Sequence, residues 1–92
     1  LYANGSEDGK KCAVLVTETF AATLGIDDRG AWARDPSERG GASLHAASAP
    51  TVLTEPFFGD DRDHARAVHR LGMDGMAEAY HVAITQCLAA LA

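Results

Sequence analysis

Between Cys12 and Leu24, apolar or small residues return every three or four positions, at Cys12, Leu15, Val16, Thr19, Phe20, Thr23 and Leu24. A stripe of that period predicts an amphipathic helix over about Glu7–Leu24. Ser6 offers an N-cap, Glu7 and Asp8 put negative charge where the helix dipole favours it, and Gly25 is suited to close the last turn. Ahead of the helix, Leu1–Ala3 reads as the tail of a strand ended by the turn signal Asn4-Gly5. Behind it, Ile26 to Gly41 loses all periodicity and collects Asp27-Asp28, Arg29-Gly30, Asp35-Pro36 and Arg39-Gly40-Gly41, which predicts a long loop. The single tryptophan, Trp32, lies in that loop and is expected to plug it from beneath rather than to stack on a ligand.

Ala42–Ala47 is a candidate short strand. A clearer one follows in Thr51-Val52-Leu53-Thr54-Glu55, entered from Pro50 and rich in β-branched residues. Pro56 keeps Glu55 out of the helical region, so the strand is expected to run through Glu55 and turn at Phe57-Phe58-Gly59. Asp60 or Asp61 then caps a helix carrying Ala65, Val68 and Leu71, which Gly72 interrupts. The last helix, about Met73–Leu91, has its stripe at Met76, Ala77, Tyr80, Ile84, Cys87, Leu88 and Leu91. Strand, helix, strand, helix, helix predicts an α/β fold, with helices packed on a twisted mixed sheet.

Length changes this picture. Ninety-two residues suit one small domain, whose stability is marginal because so little surface is buried. Leu1-Tyr2-Ala3 has neither an initiator Met nor the features of a leader, so the start reads as a cut through a longer chain. A net charge of −5 with scattered Lys and Arg argues against nucleic acid as a partner, and the apolar runs are too short to cross a membrane. Cys12 and Cys87, far apart and each on an apolar helix face, are expected to be two buried thiols rather than a disulfide or a metal pair.

Among residues able to do chemistry, Glu55 comes first. It closes a buried-type strand, where open α/β sheets place their ligand sites, and a carboxylate held there suits a general base. A solvated strand-end Glu is the plainer alternative. Arg29 and Arg39 have the chemistry to hold a substrate carboxylate, or to pair with the loop's own acids. The histidines give no metal site: His64 and His69 are five apart and face different ways on a helix, while His45 and His81 are isolated. No nucleophile elbow, P-loop or dinucleotide fingerprint is present.

The run Ala49-Pro50-Thr51-Val52-Leu53-Thr54-Glu55-Pro56-Phe57-Phe58-Gly59-Asp60 resembles the closing motif of the zinc-dependent N-acetylmuramoyl-L-alanine amidases, a Pro-led apolar strand ending in Glu before aromatic residues. In matching order, Leu1–Lys10 resembles the strand and turn before that family's mid-domain helix, Leu24–Gly30 and Glu38–Gly41 its Arg-Gly loop segments, and the last helix its C-terminal one. The resemblance implies that residues 1–92 are the C-terminal part of one catalytic domain whose N-terminal half, with the zinc ligands, is missing. It also implies a peptidoglycan substrate and cleavage of the amide between N-acetylmuramic acid and L-alanine. In the family zinc polarises the carbonyl and acidifies a water, and a Glu, here Glu55, takes its proton.

Ser43-Leu44-His45-Ala46 looks like the family's third-ligand segment, but lacks the usual following Asn and stands where a later strand belongs. The chain alone is therefore expected to bind no zinc, to be inactive, and to aggregate through uncovered strand edges. Its parent would act outside the cell or in the cell wall, as a bacterial autolysin or a phage-encoded lysin. Two other readings stand beside this one: a non-catalytic α/β interaction or cell-wall-binding module, and another zinc amidohydrolase of similar architecture.

Overall fold

The computed structural model describes residues 1–92. Five elements follow one another: β1 (Tyr2–Ala3), α1 (Glu7–Leu24), β2 (Ala33–Arg34), α2 (Gly41–His45) and α3 (Arg62–Leu91). α1 has the expected bounds. Ser6 accepts the Gly9 N–H at its start, and Gly25 ends it in the left-handed conformation at φ 67°, where its N–H reaches the Ala21 carbonyl. Asp61 caps α3 by accepting the N–H groups of Asp63 and His64. Gly72 breaks that helix with φ 75° and ψ 175°, a backbone region essentially reserved for glycine.

The expected helices on a twisted mixed sheet are not found. The chain is mostly helical, and its one sheet is a parallel pair of two-residue strands, Tyr2 beside Ala33 and Ala3 beside Arg34. Three local readings fail for separate physical reasons. Thr51–Glu55 is not a strand and meets β1 only through an antiparallel bridge between Val52 and Tyr2, since the prolines that bracket it, Pro50 and Pro56, lack the N–H that a ladder needs. Ala42–Ala47 is not a strand but α2 over Gly41–His45, a segment without β-branched residues in which Ala and Leu favour the helix. The loop from Ile26 supplies β2; the carbonyls of Trp32, just before it, and of Arg34, at its end, accept the N–H groups of Tyr2 and Asn4.

The core lies between α1 and α3. Phe20 and Leu24 pack on Ala67 and Ala79, with Val16, Ile26, Val68, Leu71 and Met76 around them. Phe20 meets Tyr80 edge-on at 4.6 Å between ring centroids. Small residues, Ala79 and Ala83, form the buried seam of α3, so the helices approach closely. The stripe expected on α3 is thereby rotated: Ile84 and Leu88 are exposed rather than buried. α2 lies against β1 and buries Leu44. Gly41 is obligatory in that turn, since a Cβ there would collide with the backbone of Asp35 and Pro36.

Cys12 is buried and Cys87 half-buried, and the two free thiols belong to one contact, with the Cys87 thiol 3.6 Å from the Cys12 carbonyl oxygen. No helix is long and apolar enough to cross a membrane.

Candidate active site

A cavity of about 560 Å³ opens beside the α1 face that carries Val16 and Phe20, with Ile26, Val52 and Leu53 completing its apolar wall. Its polar lining comes mainly from the 26–41 loop and the segment before Pro56, with Thr17 added from α1. Glu55 stands here. Its carboxylate takes two contacts from Arg39, Nη1 to Oε1 at 2.6 Å and Nη2 to Oε2 at 3.4 Å. Arg29 donates to the Glu55 carbonyl at 3.2 Å and lays its guanidinium 3.8 Å over the Phe58 ring. The three residues singled out from the sequence, Glu55, Arg29 and Arg39, therefore meet at one place although 26 positions separate the first and last.

The local sequence explains the arrangement. Asp28 accepts the N–H of Gly30 and the hydroxyl of Thr17, which ties the loop to α1 and aims Arg29 inward. Gly40, at φ 81°, and Gly41 turn the chain so that Arg39 faces the Glu55 segment. Pro56 leads into Phe58, whose ring stacks on His64 with centroids 6.0 Å apart. His64 Nδ1 accepts the Phe58 N–H at 3.0 Å, so this imidazole is a structural support and is not free to bind a metal through that nitrogen. The Asp61 carboxyl is held below the usual carboxylate range, chiefly because it accepts the His64 backbone N–H.

Electrostatics fix the state of Glu55. The hydrogen bond from Arg39 holds its carboxyl below the ordinary glutamate value; partial desolvation opposes this, and the charges of Arg39 and Arg29 add to it. Glu55 is thus ionised at neutral pH and able to accept a proton, but weakly basic while Arg39 grips it. The Leu1 nitrogen donates to the Leu53 carbonyl at 2.9 Å.

Of the lining residues, Arg34 escaped the sequence reading and Trp32 differs from the role expected of it. Arg34 enters because β2 pairs with β1, and no spacing in the sequence announces that pairing. Trp32 does not plug the loop: it is 59% exposed, and its indole N–H donates to the Arg29 carbonyl at 2.8 Å. An indole between Gly30-Ala31 and Ala33-Arg34 in a polar loop was the available signal. His45 is used elsewhere, its Nε2 lying 2.8 Å from the Arg34 carbonyl oxygen. No three His, Cys, Asp or Glu side chains converge as a metal-ion cluster. No family model matches this chain, and neither a curated protein nor a solved structure matches it.

Proposed function

We propose that this chain is the C-terminal part of a peptidoglycan-hydrolysing amidase domain that cleaves the bond between N-acetylmuramic acid and L-alanine, with Glu55 as general base. The observation that carries the reading is the placement of Glu55: an ionised, accessible carboxylate lining a cavity, at the end of the segment that resembles the amidase closing motif. Glu55 accepts a proton from the attacking water and returns it to the departing amine nitrogen, so the carboxylate is regenerated. Arg39 must loosen its grip for this to happen, and a substrate carbonyl or carboxylate reaching Arg39 supplies the replacement partner.

Zinc does not fit the residues present, since no three ligating side chains come together. The zinc and its ligands belong to the missing N-terminal half of the domain, and residues 1–92 alone are inactive. The parent acts outside the cell or in the cell wall, as an autolysin or a phage lysin.

The ion pair itself favours a second reading, a non-catalytic cell-wall-binding module, because a Glu55 permanently held by Arg39 is a structural rather than a reactive group.

The deciding experiment assays muropeptide hydrolysis by the chain joined to its native upstream residues, with zinc, as wild type and Glu55→Gln. A loss of about 100-fold or more with zinc retained supports the base role. Unchanged turnover in the variant removes Glu55 from the chemistry, and absence of turnover in the wild type favours the binding module.

A further inference from the structure

We propose that Cys12 and Cys87 are a disulfide site: in an oxidising compartment they join and staple the C-terminal half of α3 to the start of α1. Placement is the first argument. Ala79, Ala83 and Cys87 follow at four-residue steps, so Cys87 continues the seam of small residues that α3 turns toward α1. On α1, Cys12, Val16 and Phe20 repeat the same step. The contacts Phe20–Tyr80, Thr19–Gln86 and Cys12–Cys87 descend α1 as they climb α3, which makes the cysteines the outermost of these rungs. The chain's two cysteines thus meet across 75 positions, with the Cys87 thiol 3.6 Å from the Cys12 carbonyl oxygen. No group of three His, Cys, Asp or Glu side chains includes them, so the pair has the donors for oxidation and too few for a metal ion.

Access sets the order of events. Cys12 is 6% exposed, whereas Cys87 is half-buried and open to a small oxidant. The step is thiol–disulfide exchange with a low-molecular-weight disulfide such as oxidised glutathione. The Cys87 thiolate attacks one sulfur of that disulfide and releases one glutathione thiolate; the Cys12 thiolate then attacks the Cys87 sulfur and releases the second. The protein gives up two thiol protons and two electrons, and two reduced glutathiones carry them away. Burial and a hydrogen bond from the Cys12 side chain push the Cys87 thiol up to about 11, so the bond closes slowly and, with so poor a leaving group, reopens slowly. Only 10 of 92 residues are buried, and a domain with so thin a core gains much from a covalent tie. The inference goes beyond the amidase reading and takes from it only the compartment, since thiols oxidise outside the cell.

The test equilibrates the 92-residue chain with reduced and oxidised glutathione, in native buffer and in urea, and follows the thiols by mass spectrometry after an acid quench. The folded chain holds the cysteines as neighbours, so the equilibrium constant for closure is expected to be about 30-fold or more above its value in urea. The oxidised chain is expected to stay monomeric and to melt roughly 10 °C higher than the reduced one. Cys12→Ala is expected to stop at one glutathione on Cys87. Equal constants in buffer and urea overturn the proposal, as do a disulfide between two chains or an oxidised chain that melts lower. An active full domain whose thiols stay free in the oxidising buffer loses this bond and keeps the amidase reading. A closed bond in a full domain without turnover does the reverse.

Discussion

Arg39 holds Glu55 from the side, with Nη1 2.6 Å from Oε1, and both side chains remain largely in solvent. A glutamate whose folded pKa is depressed contributes stability above its ordinary value, and that contribution is lost as pH falls through the folded value. Solvent exposure keeps the contribution small. We therefore expect Arg39→Met to leave the melting temperature nearly unchanged while the Glu55 carboxyl titration, followed by NMR, moves upward toward the free-glutamate value. A Glu55 titration that stays put would show that another group controls this carboxylate.

The Phe20–Tyr80 contact joins α1 to α3, with Phe20 in the core and Tyr80 at its margin. Phe20→Ala should cost about 3–5 kcal/mol in a urea unfolding experiment, enough to unfold a domain this small. Tyr80→Phe keeps the ring and loses only the 2.9 Å hydrogen bond with Thr54, so a cost near 1 kcal/mol is expected. Equal costs for the two variants would mean that the ring packing contributes nothing.

Gly41 has no room for a side chain, because its Cβ position is occupied by the Asp35 carbonyl and neighbouring backbone. Gly41→Ala should destabilise by about 1–3 kcal/mol, as overpacking does when the obstacle cannot rotate away. Gly59, whose Cβ position is open, is the control, and Gly59→Ala is expected to be nearly neutral by the same melt.

Burial pushes the Cys87 thiol up to about 11, with the neighbouring Cys12 adding to the effect. At pH 8 the folded chain should therefore react slowly with iodoacetamide at Cys87, and readily once unfolded in urea. An acid whose folded pKa is raised gives stability that is whole below its unfolded value and lost as pH climbs to the folded one. The wild type should thus lose more stability than Cys87→Ala between pH 9.0 and about 11. Parallel pH profiles for the two proteins would contradict the burial of this thiol.

How much of this was written in the sequence depended on whether the signal was local. α1 was legible to its last residue because its cap, its stripe and its terminal glycine agree over one continuous stretch. Gly72 and the Asp61 cap were legible for the same reason. Strand readings fared worse. A strand is completed by a partner elsewhere, and Thr51–Glu55 has the composition of one while pairing at Val52 alone. The site divides the same way: Glu55 stood out beside Pro56, whereas Arg34 and the exposure of Trp32 follow from a β1–β2 pairing across some thirty positions that leaves no periodic trace.

The packing of α3 on α1 has a consequence for the time course of folding. Cys87 touches Cys12 across 75 positions and Leu1 touches Leu53 across 52, so the contacts that join the elements to one another reach between distant parts of the chain. During synthesis, α1 emerges early and waits as an isolated amphipathic helix, with Phe20 and Leu24 in water, until residues 67–83 leave the ribosome. Closing so large a loop adds only logarithmically to the equilibrium cost, but it slows the search. Between the two events lies an interval in which the nascent chain presents its stickiest surface, and in that interval a holding chaperone would matter most to its yield.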